Sequence, residues 1–382
     1  KHYSDEKSNE IEFFSMKEFL KLQISFKNST RMLFLDGMDE YRSLENDKTF
    51  VINEIGNKLK DINKSILISC REMDWFGDDD KDGLEKHIGS GKKVHVFYLL
   101  PLDENQKIEM AKKKGINEEQ MDSFIKKFDV FLGNPQMLEM ATEIFNDSQS
   151  LLCNTKIDVY QQFLKGAKEK NKEYLRNHVN IIDEKTMLRT IGYVAACQIF
   201  SGIDEINEEF LIKISDKNYP IDMLEIIVDS SLFSQNRFLH RTIAEFAAAY
   251  FLKLKLETND AINLLRIKSL FVKNNKIPTD LRTTYAWLCS LTENENLIEV
   301  DPYYQAINGD NSFFSSEQIK DLFNAVEKYS KETPYFFHFR RSPELGVLYR
   351  SDLDEYFMEN IEKSLDTHFM YFLIYVVVSA QE

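Results

Sequence analysis

Residues 31–40, RMLFLDGMDE, constrain the fold more than any other segment of the chain. Met32, Leu33, Phe34 and Leu35 form an apolar run long enough for a buried strand, and Asp36, Asp39 and Glu40 follow just past its C-terminal end. In an open parallel α/β sheet, ligands bind outside the carboxyl ends of the strands. A carboxylate there holds Mg2+ through water, and a second orients a water for attack on a γ-phosphate. The blander alternative is a buried strand followed by a solvated acidic turn.

The first hundred residues alternate strand and helix signals. Phe50, Val51, Ile55 and Leu59 recur at helical spacing, residues 65–70 (SILISC) make a second apolar strand, and residues 94–99 (VHVFYL) a third. Strands separated by helix-length segments predict a parallel sheet with crossover helices. From Asp103 onward the strand signals nearly vanish. Asp103 is placed to cap a helix through Ile108 and Ala111 that stops at Gly115; Met121, Phe124, Ile125 and Phe128 mark a second; a third opens at Pro135. Helical periodicity continues through residues 156–175, 185–200 and 242–256, interrupted by a hairpin-like stretch at 231–240 (SLFSQNRFLH) that turns at Gln235–Asn236. Beyond Thr258 the chain reads as helical pairs, with Asp310 and Ser315 placed as N-caps.

A length of 382 residues suggests two to four domains, and 43% apolar residues suffice for real cores. The net charge of −15 argues against nonspecific nucleic-acid binding. Cys70, Cys153, Cys197 and Cys289 are scattered, with no CxxC pair and no histidine at zinc spacing, which fits a reducing cytoplasm. The apolar run at 371–378 is too short to cross a bilayer. The chain opens at Lys1 and stops soon after that run, so both ends read as cuts through a longer protein.

Four segments in fixed order carry a resemblance: RMLFLDGMDE (31–40), SILISCRE (65–72), LGNPQML (132–138) and FLHRTIAEFAAA (238–249). Together they resemble the NACHT branch of the STAND signalling ATPases, the class of animal NLR receptors and bacterial anti-phage NLR-like proteins. The resemblance implies a truncated α/β P-loop NTPase core at 1–101, a helical domain at 102–178, a winged-helix domain at 179–256 and the start of a helical sensor array at 257–382. It implies ATP and ADP with Mg2+ as cofactors, Asp36 as the metal-holding acid, and Asp39 and Glu40 as the pair that positions or activates water. Arg71 would be the sensor that contacts the γ-phosphate, Pro135 would pack on adenine, and His240 would contact the β-phosphate of ADP. Residue by residue the alternatives are ordinary: a surface arginine paired with Glu72 or Asp74, helix punctuation at Gly133 and Pro135, and a structural histidine. Asp78, Asp79 and Asp80 read as a solvated acidic turn.

No GxxxxGK[ST] occurs in the chain. The nearest lookalike, GSGKK at 89–93, has Lys86 where the first glycine belongs and Lys93 in the Ser/Thr position, and it precedes a strand signal, so it reads as a basic turn. The phosphate loop is expected upstream of residue 1, and the fragment alone is expected to be inactive. The resemblance implies a cytoplasmic switch that ADP holds closed and that oligomerises on ATP. A trigger protein, phage-derived in the anti-phage members, would bind the C-terminal helices; neither membrane nor direct nucleic-acid binding is expected. Residues 301–322 resemble helical repeats of such proteins, while the aromatic cluster Tyr335, Phe336, Phe337 and Phe339 reads as core beside Arg340 and Arg341. The competing readings are a STAND-type transcriptional regulator and a helical scaffold that no longer uses nucleotide.

Overall fold

Near the N-terminus three short strands pair side by side, all parallel, in the order β1 (Ile11–Ser15), β2 (Met32–Asp36), β3 (Ser65–Ile68). The structure, a computed structural model, describes residues 11–21, 30–44, 48–71, 75–89, 92–128, 131–147, 153–170, 183–203, 205–234, 236–258, 263–273, 276–292, 294–332 and 343–380. The chain divides into two units, Lys1–Leu100 with Pro278–Asp280, and Pro101–Ile277 with Leu281–Glu382. The first holds the parallel sheet; among the described residues the second is helical apart from one small hairpin and an isolated bridge between Lys273 and Lys276.

In the first unit the strands are joined by α1 (Met16–Lys21), α2 (Met38–Leu44) and α3 (Lys48–Leu59), and α4 (Asp78–Ile88) follows β3. Phe14 lies opposite Leu35 and Leu35 opposite Ile68, so alternation sends these residues to one face. There they pack with Met16, Phe19, Val51, Ile55 and Leu84 in one core. Each such side chain contributes roughly 1.5–3 kcal/mol when fully buried. Both crossovers step in the same direction across the sheet, and right-handed connections therefore place all three helices on one face. The opposite face carries Phe13, Phe34 and Leu67. The Phe13 and Phe34 rings touch at 5.2 Å, yet Phe13 is 67% exposed and Leu67 43%.

Two expectations fail here. Residues 94–99 carry no strand pairing, and Phe97 and Leu99 are exposed. Val94 touches the edge of the core and donates its N–H to Glu85 Oε1 at 2.9 Å. β-Branched and aromatic composition favours a strand only where a ladder partner exists. The third strand of the sheet is instead β1, which gave no recognised signal. The acidic run at 78–80 is the first turn of α4; Asp78 and Asp79 are solvated as expected, but Asp80 is buried against Arg42.

The second unit begins with α5 (Glu104–Lys113), whose N-cap Asp103 forms a full capping box with Gln106. α6 (Glu118–Phe128), α7 (Pro135–Asp147) and α8 (Lys156–Lys170) follow, with Phe124 edge-on to Phe145. Next come α9 (Glu184–Ser201), α10 (Glu208–Ile214), α11 (Ile221–Val228), a hairpin of β4 (Phe233–Ser234) and β5 (Arg237–Phe238), and α12 (Arg241–Glu257). The hairpin turns through Asn236 at φ 59°, as the sequence predicts. The longer of the remaining helices are α13 (Leu264–Phe271), α14 (Thr279–Thr292), α15 (Pro302–Asn308), α16 (Ser316–Glu332), α17 (Asp354–Lys363) and α18 (Thr367–Ser379).

Three aromatic rings from distant segments meet in the core of this unit. Tyr160 of α8, Phe246 of α12 and Trp287 of α14 lie pairwise at 4.9–5.1 Å. Ser315 and Gln318 cap α16 reciprocally, as predicted. Asp310 also caps a helix, but α8: its Oδ2 accepts the Ile157 N–H at 2.8 Å. Asp301 accepts from Arg282 Nε at 2.6 Å and Nη2 at 3.1 Å, with Arg282 held over the Tyr304 ring. Residues 335–341 lie outside the described residues. Among the described residues no helix is long and apolar enough to cross a membrane.

Candidate functional site

Because β2 and β3 run parallel, their carboxyl ends share one edge of the sheet. Gly37 turns the chain there with φ 76°, a conformation costly for any side chain with a Cβ, and delivers it into α2. Beyond β3, Ser69 stitches the two strand ends together. Its N–H donates to Leu35 O at 2.9 Å and its carbonyl accepts from Met38 N–H at 3.1 Å. Its hydroxyl accepts from Gly37 N–H at 2.9 Å and donates to Asp36 Oδ1. Asp36 is therefore an exposed carboxylate with a fixed orientation at the strand end. Among the described residues no group of three or more His, Cys, Asp or Glu side chains could hold a metal ion; a lone carboxylate such as Asp36 could share only a hydrated Mg2+ whose other ligands are waters and phosphate oxygens.

Asp39, the second residue of α2, is 5% exposed. Its Oδ1 accepts the Arg71 backbone N–H at 3.3 Å, and its Oδ2 pairs with Arg71 Nε at 3.2 Å. The arginine predicted at the strand tip is thus paired across the edge with a carboxylate of the β2 motif, while about a third of its side chain stays accessible. The side chain of Glu40 lies outside the described residues.

The other two predicted residues belong to the second unit. Pro135 is exposed at the first position of α7, where Asn134 Oδ1 accepts the N–H groups of Gln136 and Met137 at 2.9 and 3.1 Å. Gly133 leaves room for Pro101, whose Cβ would lie 3.3 Å from a side chain at that position. His240 is the N-cap residue of α12, yet its imidazole makes no capping bond. Its Nε2 lies 3.9 Å from Glu139 Oε2 of α7, and Glu139 is also bonded to Lys114. One turn away, the Gln136 amide donates to the Thr242 hydroxyl. The third and fourth motifs, about a hundred residues apart, therefore share one surface where α7 meets the start of α12.

Cysteine chemistry finds no support at three of the four thiols. Burial, with Asp158 nearby, pushes Cys153 up to about 11, and burial raises Cys289 and Cys197 as well. A thiol held protonated is a poor nucleophile. None of the four cysteines is in a disulfide.

Several members of the site were not anticipated: Ser69, the Arg42–Asp80 pair, and the Glu139 and Gln136 contacts to the start of α12. Arg42 alone left a trace, since its spacing of three from Asp39 puts both on one face of a helix. No known protein-family model matches the chain, and no curated protein matches it significantly.

Proposed function

We propose that this chain carries the Mg2+-binding edge and the regulatory helical body of a STAND signalling ATPase of the NACHT type. ADP would hold it closed, and a trigger on the C-terminal helices would permit exchange to ATP and oligomerisation. The observation that carries the reading is the gathering of Asp36, Asp39 and Arg71 at one carboxyl edge of adjacent parallel strands, with Arg71 bonded to Asp39. The pair also neutralises the buried Asp39, as any buried carboxylate requires; what favours the reading is that it sits beside exposed Asp36 with about a third of Arg71 accessible.

The residues divide the work in this reading. Mg2+ would neutralise developing charge on the transferring phosphate. Asp36, oriented by Ser69, would hold the ion through water. Arg71 would exchange its bond to Asp39 for the γ-phosphate, a charge-assisted bond of the same kind. That exchange frees the Asp39 carboxylate to act with Glu40 on water, so the base becomes available only when ATP is in place. In the second unit, Pro135 and His240 would make the adenine and β-phosphate contacts in this reading; both lie on the surface where α7 meets α12. The outer edge of β3 and the apolar face of Phe13, Phe34 and Leu67 support a further strand and helix that bring the phosphate loop. A parallel strand added beyond β3 reverses the direction of winding, and its right-handed crossover lays a helix on that open face.

The test is nucleotide turnover by the intact protein. Glu40→Gln should leave ATP affinity nearly unchanged and slow hydrolysis by about 10²–10⁴-fold, the range for a general base. Asp36→Ala should abolish the Mg2+ dependence of binding. An intact protein that binds neither ATP nor ADP would leave only the scaffold reading.

A further inference from the structure

Arg42 and Asp80 form a fully buried ion pair that the proposed chemistry does not use. Arg42 is 2% exposed and donates Nη1 to Asp80 Oδ2 and Nη2 to Asp80 Oδ1, both at 2.9 Å. Asp80 Oδ2 also accepts the Phe76 N–H at 2.8 Å, and the Arg42 guanidinium carbon lies 4.5 Å from the centre of the Phe76 ring.

Stability does not account for such a pair. Burying two charges costs several kcal/mol in desolvation, and apolar residues of the same volume serve as well or better. What the pair supplies is geometry: a planar fork meets a carboxylate in one orientation only. On α2, Asp39 and Arg42 are three residues apart and share a face. Asp39 holds the backbone and side chain of Arg71; Arg42, through Asp80, holds Phe76. One helix thus holds Arg71 directly, through Asp39, and Phe76 indirectly, through Asp80.

We infer that Arg42 is a positioning residue for Arg71. By tying α2 to the first turn of α4 it fixes the face of α2 from which Asp39 holds Arg71 at the sheet edge. The inference rests on the proposed role of Arg71 only for its consequence in catalysis; the clamp itself is a property of this chain.

Hydrogen exchange separates positioning from mere support. The variant Arg42→Met with Asp80→Leu replaces both charges by apolar groups, so the fold survives while the fork and the acceptor for Phe76 N–H are lost. Exchange of the Arg71 and Phe76 amides should then accelerate at least about tenfold over amides elsewhere in α2 and β3. Leu84→Ala, which weakens the same core from α4, should slow or speed the Arg71 amide only in step with its neighbours. Arg42→Lys, which keeps the charge and loses the fork, should behave like the double variant. An Arg71 amide within roughly threefold of the parent in the double variant, or equally accelerated by Leu84→Ala, overturns the inference. In the intact protein the double variant should lower kcat with KM for ATP little changed; equal loss through KM alone also overturns it. An intact parent that binds no nucleotide defeats the functional reading, while the exchange result still decides the clamp.

Discussion

Gly192 sits in α9 where that helix packs against α12, and Gly192→Ala pits local propensity against tertiary packing. In an isolated helix the change should stabilise by about 0.8–1 kcal/mol, because glycine is the poorer helix former. In this structure an alanine Cβ at 192 would lie 2.7 Å from Phe251 Cβ and 2.8 Å from the Ala247 carbonyl oxygen. Carbon atoms pack best at about 3.5–4.0 Å, so the first contact is short by roughly 0.8 Å. Neither atom can rotate away, since one is backbone and the other is fixed to it. The two helices must separate, although both carry fully buried residues, among them Ile191, Val194 and Ala195 on α9 and Phe246 and Ala248 on α12. Overpacking of this kind costs about 1–3 kcal/mol, which exceeds the propensity gain and leaves a net loss of up to about 2 kcal/mol. The chain has two tryptophans, Trp75 in the first unit and buried Trp287 in the second. A Trp75→Phe background therefore makes fluorescence report the second unit alone during urea unfolding. A midpoint raised by Gly192→Ala, with unchanged slope, would refute the close approach of α9 and α12.

Asp310→Ala removes the acceptor for the buried Ile157 N–H at the start of α8 and should cost about 1–3 kcal/mol in the same assay, with Asp310→Asn costing less. Asp366 caps α18. Burial works to raise its pKa, but the Ser330 hydroxyl and the backbone N–H groups of Phe369 and His368 outweigh it and hold the carboxyl below its usual value. Its folded pKa being depressed, the stability it lends is full above the unfolded value of about 3.9 and is lost as pH falls through the folded one. Acid titration of the unfolding midpoint should therefore show a shallower drop below about pH 4 in Asp366→Asn than in the parent. Without a phosphate loop this chain should bind ATP too weakly for a micromolar calorimetric isotherm. If His240 contacts the β-phosphate of ADP as proposed, His240→Ala should remove one charge-assisted bond of about 1.5–3 kcal/mol and shift the proposed switch toward trigger-free signalling by about one to two powers of ten. Silent, monomeric His240→Ala protein with unchanged ADP release would end the clamp role.

What the sequence alone determined is local. The 3.6-residue periodicity places α5 through α9 and α12, Asp103 with Gln106 and Ser315 with Gln318 announce helix starts by short-range pairing, and the runs at 32–36 and 65–68 are strands because their apolar content is contiguous. The edge carboxylates are legible for the same reason, since they adjoin the strand that presents them. What the tertiary structure decided is every pairing between distant segments. β1 is a strand because β2 gives it a ladder, whereas residues 94–99, better strand formers by composition, have no such partner among the described residues. Asp80 looks solvated in sequence and is buried because Arg42, 38 residues earlier, meets it. Asp310 caps a helix 153 residues away, and Asp39 holds an arginine 32 residues on. A hydrogen bond between such groups depends on how helices and strands pack, and packing is set by the whole apolar core rather than by any window of the chain.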